Sequence, residues 1–397
     1  MRVEKHKIKN NKVINEMSIT ANNLYNHANF ILRQNFFKNK TNEGYRKFLN
    51  YNTIHRILKN MNEENYIKLP RQTSQQVLRD LINNWSSFRK SEKDYFKNPN
   101  KYRSRPKPPK YKTKGGKGII KFTNQQCRIH KKDGLIHLPA PLQEVTIKPY
   151  KAKNIREIIC IPKSNYFEIL VCYKEENNNK ILKDNKNIAS IDLGLDNLIT
   201  MVSNVDKPMI INGKGLKSKN KYFNRKISYY QSLLGSNNYS SKKILKYWEK
   251  RHNIILDYFH KATKEVVKYC VINNISKVVI GYNKQQKYKS KLKNFVQIPI
   301  FSIIPILRYK LEEKGIVLIE TEESYTSKTS FIDNEEPIKH NTYKGKRIKR
   351  GLFKTEEGKL LNADVNGAFQ IMKKVFPDVE IPRDNGFVYN PMHLMLY

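Results

Sequence analysis

The stretch "IASIDLGLDNLITMVS" (188–203) carries an acidic residue, Asp192, between Ile191 and Leu193 in an apolar run. An ionised carboxylate in such surroundings is costly unless it is paired or bound to a metal ion. Gly194 follows two residues later and permits a close backbone approach. The stretch reads as two strands around a turn, and "MIING" (209–213) reads as a third short strand.

Working outward, the downstream sequence alternates between helix and strand. Long basic helices are expected over roughly 216–234 and 240–271, then a strand at "KVVIGY" (277–282). A helix over 300–314, a strand at "IVLIE" (316–320) and a helix over 363–375 follow. A strand hairpin followed by strand–helix–strand units is the element order of an RNase-H-like sheet. In that fold the first, fourth and fifth strands are parallel and bring their C-terminal ends to one edge.

Upstream, residues 13–100 read mainly as helix. Met17, Ile19, Leu24, His27, Phe30, Ile31 and Phe36 recur near one helical face. A second helix, 73–96, opens on a Thr/Ser cap signal and places Val77, Leu78, Leu81, Trp85 and Phe88 at helical spacing. Pro99, Pro106, Pro108, Pro109, Gly115 and Gly116 then break the pattern, so 98–117 reads as a basic extended linker. From about Gly118 to Tyr173 the apolar period shifts towards two, which suggests a small β-barrel or curled sheet. The polar stretch 175–187 is a boundary. The fold class is therefore multidomain α+β.

Lysine and arginine total 76 against 35 acidic residues in 397, a formal net charge of +41. Self-repulsion on that scale does not help folding, and a polyanionic partner is the simplest reason for it. The excess runs along the whole chain, as at 101–118, 287–293 and 344–350, which favours an extended footprint on nucleic acid. Within the first of these runs Arg103, Arg105, Lys107, Lys110 and Lys112 are candidate contacts. Tyr (24) and Phe (17) could stack on bases as well as fill a core. None of the four cysteines forms a CxxC pair, and they read as buried thiols in a reducing, cytoplasmic compartment. No stretch approaches the ~18 apolar residues of a membrane span.

Asp364, in "LNADVNGAFQIMKK" (361–374), opens an amphipathic helix. It reads either as a helix cap or, with Asp192, as a metal ligand at the other end of one α/β domain. Nearby Asn366 could orient that carboxylate or cap the helix.

The motifs "IDLGLDNLIT", "NFVQIP", "ESYTSK", "KRGLF" and "NADVNGAFQIMKK" resemble the TnpB proteins, RNA-guided nucleases of small transposons related to Fanzor and to type V CRISPR effectors. The likeness is strongest over 188–376 and looser in the N-terminal part. It implies a wedge-type β-barrel (1–12 and 118–185), an inserted helical recognition lobe with its linker (13–117) and a RuvC nuclease domain (186–397). It also implies two Mg²⁺ ions, a guide RNA from the transposon end with one protein per guide, double-stranded target DNA, and a short adjacent DNA motif. The expected home is the bacterial cytoplasm or nucleoid.

Two departures stand out. The family's middle glutamate follows the fourth strand, where this chain reads "VVIGYN" with Gly281. "IETEESYTSK" (319–328) offers Glu320, Glu322 and Glu323 just past the next strand. Fanzor proteins and some TnpB proteins carry a similarly relocated glutamate before a "TS" pair. That likeness makes Glu323 the third member of the set Asp192, Glu323 and Asp364, with Glu322 second. Many relatives also carry two cysteine pairs between "YTS" and the last Asp motif. This chain has none there, so the insertion at about 326–361 is expected to be zinc-free, His340 to be an ordinary loop residue, and Lys344, Lys346, Arg347, Lys349 and Arg350 to contact nucleic acid. The resulting expectation is an RNA-guided, Mg-dependent DNA endonuclease. The alternatives are a nuclease-dead guided repressor, for which Gly281 argues, and a strand-joining transposase.

Overall fold

The computed structural model describes residues 1–38, 49–175, 181–235, 240–282, 298–381 and 388–396. The basic run 287–293, most of "NFVQIP" (294–299) and part of the polar boundary at 175–187 lie outside them. The chain divides into two compact units, Met1–Glu176 and Asn177–Tyr397.

In the first unit, β1 (Arg2–Lys9) precedes four helices: α1 (Lys12–Lys38), α2 (Tyr51–Asn60), α3 (Glu64–Lys68) and α4 (Arg71–Lys97). Strands β2 (Ile120–Thr123), β3 (Ile136–His137), β4 (Thr146–Ile147), β5 (Asn154–Pro162) and β6 (Tyr166–Lys174) follow. The sheet runs β1-β6-β5-β2, antiparallel throughout, with β3 and β4 forming a separate ribbon. Of the two expectations, barrel or curled sheet, the described residues form an open sheet edged by β1 and β2. Helices and sheet share one apolar core, in which Leu24, Leu81 and Trp85 join Phe122 and Phe167.

Two helix details differ from the sequence reading. Phe30 is 49% exposed, whereas Ala21, Ala28 and Leu32 face inward. Six residues on from Leu24 at 100° each, Phe30 has rotated well off the buried stripe. Helix α4 starts two residues earlier than its Thr/Ser signal, after Pro70, and Ser74 donates to the Arg71 carbonyl instead of capping. The proline-rich segment opens with a 3-10 turn at Pro99–Lys101, has no helix or strand over 105–112, and is not a free linker. Asn22, Asn26 and Asn29, one turn apart on α1, donate to the carbonyls of Thr113, Lys112 and Pro109 at 2.9, 3.0 and 3.1 Å. Carbonyls that no helix or sheet could satisfy are met by this amide ladder.

The second unit opens with β7 (Ile188–Leu193), β8 (Asn197–Ser203) and β9 (Met209–Asn212), then the long helices α5 (Lys214–Ser232) and α6 (Lys242–Ile272). β10 (Lys277–Gly281), α7 (Ile303–Glu312) and β11 (Val317–Thr321) follow, then the three-stranded meander β12 (Lys346–Lys349), β13 (Leu352–Lys354) and β14 (Leu360–Asn362). Helix α8 (Ala363–Val375) and β15 (Met392–Leu394) complete it. The main sheet runs β11-β10-β7-β8-β9-β15. β7, β10 and β11 are parallel, while β7-β8-β9 form an antiparallel meander, as the sequence led one to expect. The edge strand β15, parallel to β9, has no forerunner in the sequence reading. Ala262, Val266 and Leu307 of α6 and α7 share one core with Ile191 and Val278 of the sheet. Phe369 and Met372 of α8 share a second core with Val202 and Ile210.

Candidate active site

Parallel pairing of β7 with β10 and β11 brings the C-terminal ends of three strands to one edge of the sheet. Asp192 lies on the fifth residue of β7, Glu323 lies two residues past β11, and Asp364 is in the first turn of α8. All three line one cleft of about 1010 Å³, with Asn197, Lys214, Arg347, Arg350 and His393 among its walls.

The turn after β7 explains its glycine. A Cβ on Gly194 would stand 2.6 Å from the Asn197 carbonyl oxygen, so only glycine fits this hairpin. The hairpin delivers Asn197, whose side-chain amide donates to Asp364 Oδ2 at 2.8 Å. Asn362, not Asp364, caps α8 and accepts from the backbone N–H of Asp364 (2.9 Å) and Val365 (3.2 Å). Asp364 is thereby released from capping, and its other oxygen accepts from Arg347 at 3.2 Å.

Gly281 proves informative. A Cβ at this position would meet Ile371 Cδ1 at 2.6 Å, Glu323 Oε2 at 3.2 Å and Glu323 Cβ at 3.3 Å. The Glu323 side chain therefore fills the space that a side chain at 281 would need. On the other flank, a Cβ on Gly367 would stand 3.4 Å from Asp192 Oδ2, in ordinary contact, so α8 lies directly against that carboxylate.

The neighbouring acids are engaged elsewhere. Glu320 is paired with Arg308. Glu322 accepts from Ser324 and, at 2.9 Å, from the Lys374 ammonium, and these bonds hold its pKa down. Glu323 has the opposite environment: burial first, and then the charge of Glu322, raise its pKa. Burial pushes the Asp192 carboxyl well up, reinforced by the negative charges of Asp364 and Glu323, with Arg347 opposing. Enclosed carboxylates that repel one another form a site short of positive charge.

Asn366 neither caps the helix nor orients Asp364. It is fully buried, accepts from the Phe331 N–H at 2.9 Å and donates to the Thr329 carbonyl at 2.8 Å, tying the segment after Glu323 to α8. Thr326 donates to the Glu323 carbonyl at 2.9 Å, and Ser190 donates to the Ala368 carbonyl at 2.6 Å, tying α8 to β7. The links made by Asn366 and Ser190 were not visible in the sequence, because each joins segments between 35 and 178 residues apart. Asn197 could have been found: "LDN" is a polar interruption in the turn between two apolar strands.

The basic candidates separate. On the meander, Arg347 engages Asp364 and Arg350 engages Asp196 at 3.0 Å, so both line the rim of the cleft while staying exposed. Lys346 and Lys349 are exposed on β12, and the Lys344 ammonium lies 3.4 Å from the Asp333 carbonyl. His340 donates from Nε2 to the Glu336 carbonyl at 2.9 Å within its own loop. In the first unit, Arg105 pairs with Glu92 at 2.8 Å and Lys112 stands over the Tyr25 ring at 4.1 Å. Arg103, Lys107 and Lys110 are exposed.

The donor set consists of carboxylate oxygens, the hard ligands that suit Mg²⁺. Among the described residues no three acidic, His or Cys side chains already stand as a closed metal cage. Each Asp364 oxygen already accepts one hydrogen bond, from Asn197 and from Arg347. The residues fit the ion in chemistry, with Arg347 holding the place of a cation.

Comparison with known proteins yields two family matches. Residues 170–287 match the OrfB_IS605 family, described as "Probable transposase", and residues 302–371 match the Cas12f1-like TNB domain. The "TnpB-like protein ORF457" of Acidianus two-tailed virus is 25% identical over 203 residues, 48% of this chain and 42% of the relative. The chain thus spans less than half the length of that curated relative. Two solved structures are similar at low identity. One is a Cas12f1–sgRNA–target DNA complex (TM-score 0.37, 15% identity, 94% of this chain and 99% of that one). The other is a CRISPR-Cas12f ternary complex (TM-score 0.40, 16% identity, 93% and 82%). A transposase-type match, a Cas12f1-like domain match and a TnpB-like viral relative agree: parts of the second unit are similar to TnpB proteins.

Proposed function

We propose that the chain is an RNA-guided DNA endonuclease of a transposable element, with an RNase-H-like (RuvC) catalytic unit that cuts beside a short adjacent DNA motif. The observation that carries this reading is the shared cleft of Asp192, Glu323 and Asp364, with Glu323 seated over Gly281. In this reading the missing glutamate of the fourth strand is a relocation, not a loss. Its charge reaches the same sheet edge from the next strand.

Asp192, Glu323 and Asp364 would hold divalent cations, which lower the pKa of the attacking water and neutralise the phosphodiester in flight. Burial raises the pKa of Asp192 and Glu323, and ligation needs both ionised, so ion binding should strengthen as pH rises. Asn197 orients Asp364 through its amide. Arg347 must leave Asp364, which frees a guanidinium for the scissile strand's phosphate. Guide pairing would supply sequence specificity, while exposed lysines and arginines hold the backbone. The insertion, without cysteines in 326–361, would work without zinc.

The test is plasmid cleavage in Mg²⁺ by protein co-expressed with its downstream flanking RNA carrying a chosen guide. The target library carries randomised flanks. Guide-dependent cuts beside one enriched flank support the reading. Guide-dependent binding without cutting would make the protein a programmable repressor with a dead site.

A further inference from the structure

The α5–α6 pair has an outer face that plays no part in the cleft. Helix α5 carries six Lys/Arg and no acidic residue, and α6 carries eight against three. Rings and cations alternate on it. Tyr222, Lys226, Tyr229 and Tyr230 follow a spacing of four, seven and eight residues, which places them along one side of α5. Tyr222 and Tyr229 are 53% and 57% exposed. Tyr230 stacks on Tyr247 of α6 with centroids 5.4 Å apart and planes at 17°. The Lys243 ammonium stands 4.2 Å from the Tyr230 centroid, and that of Lys226 stands 5.9 Å from the Tyr222 centroid.

Open ring faces beside ammonium groups offer two complementary surfaces at once, one for flat π-systems and one for phosphates. An acidic protein segment would use the cations and leave the rings idle. A duplex would also leave them idle, because its bases are already stacked on one another. We propose that this face binds an unpaired stretch of a nucleic-acid strand, its bases stacking on Tyr222 and Tyr229 and its phosphates at Lys226 and Lys243. The site goes beyond the proposed nuclease reading and does not rest on it, since it needs neither a metal ion, a guide nor cleavage.

The test compares the full chain with its Tyr222→Ser/Tyr229→Ser variant in EDTA, by fluorescence anisotropy. The probes are twelve-nucleotide ribo and deoxy strands, an abasic strand of equal length and a duplex. The variant should bind the base-bearing strands about tenfold more weakly or worse. It should bind the abasic strand and the duplex as the wild type does, with an unchanged melting temperature. The stronger of the ribo and deoxy responses identifies RNA or DNA as the natural source of the strand. Equal loss on all probes, or no loss on base-bearing strands, would overturn the proposal.

Discussion

The three carboxylates are distinguished less by their identity than by what each neighbour already holds. Glu322 has Lys374 and Ser324, Glu320 has Arg308, and Glu323 has burial and a like charge. Glu323→Gln and Asp192→Asn should each lower guided cleavage by about 10³-fold or more, with guided binding retained. Glu322→Gln should keep activity within a few-fold, and a Glu322 variant as dead as the Glu323 one would sink this assignment. Gly281→Ala would push a methyl into Ile371 and towards Glu323, at a cost of about 1–3 kcal/mol, and should slow cleavage as well. The raised pKa of Asp192 also has a stability consequence. The folded protein holds this proton more tightly than the unfolded chain, so the associated stability is present at low pH and is lost as pH rises through the folded pKa. Asp192→Asn mimics the protonated acid. Without divalent cations it should melt above the wild type at pH 8, with the gap closing on acidification; a lower melting point at pH 8 would contradict the desolvated site.

At the scale of elements, α8 is the platform on which the site is assembled. It touches Asp192 through Gly367, carries Asp364 in its first turn, and holds the segment after Glu323 through Asn366. Asn366→Ala strands a buried N–H and a buried carbonyl, at about 1–3 kcal/mol for each group. It should cut activity beyond what the lost stability explains, measured as turnover well below the melting temperature. The β12–β13 hairpin contributes the opposing charge, with Arg347 on Asp364 and Arg350 on Asp196. Removing the guanidinium in Arg347→Ala should tighten Mn²⁺ binding to the free protein, read by calorimetry, because the ion no longer competes with a tethered cation. Weaker binding would show that Arg347 supports the site instead of filling it.

At the scale of the whole molecule, the +41 charge is too large to be an incidental surface property. It predicts a steep salt dependence of duplex binding. If six or more phosphates are neutralised, affinity should fall by about 10³-fold or more between 50 and 200 mM salt. A shallow slope in a filter-binding titration would mean that most of these cations are committed internally, as Arg105, Arg308, Arg347 and Arg350 are. The apolar core of the first unit shares no residue with the two of the second, so a substitution in the second unit is expected to leave the helix–sheet packing of the first intact.

The sequence by itself determined the order of the main elements of the second unit, though neither the β12–β14 meander nor β15, the parallel placement of its first, fourth and fifth strands, and Asp192 and Asp364 as the acids to watch. Those features are local: an apolar period, a lone carboxylate in a strand, a helix start. Resemblance added the motif set and the choice of Glu323. Only the tertiary structure decided that Glu323 lies over Gly281, that Asn362 frees Asp364 from capping, that Asn366 staples a loop, and that Arg347 and Arg350 pair with Asp364 and Asp196. Each of these depends on which distant segment arrives beside the residue. A side chain's partner across the fold is set by packing, which one-dimensional periodicity does not encode.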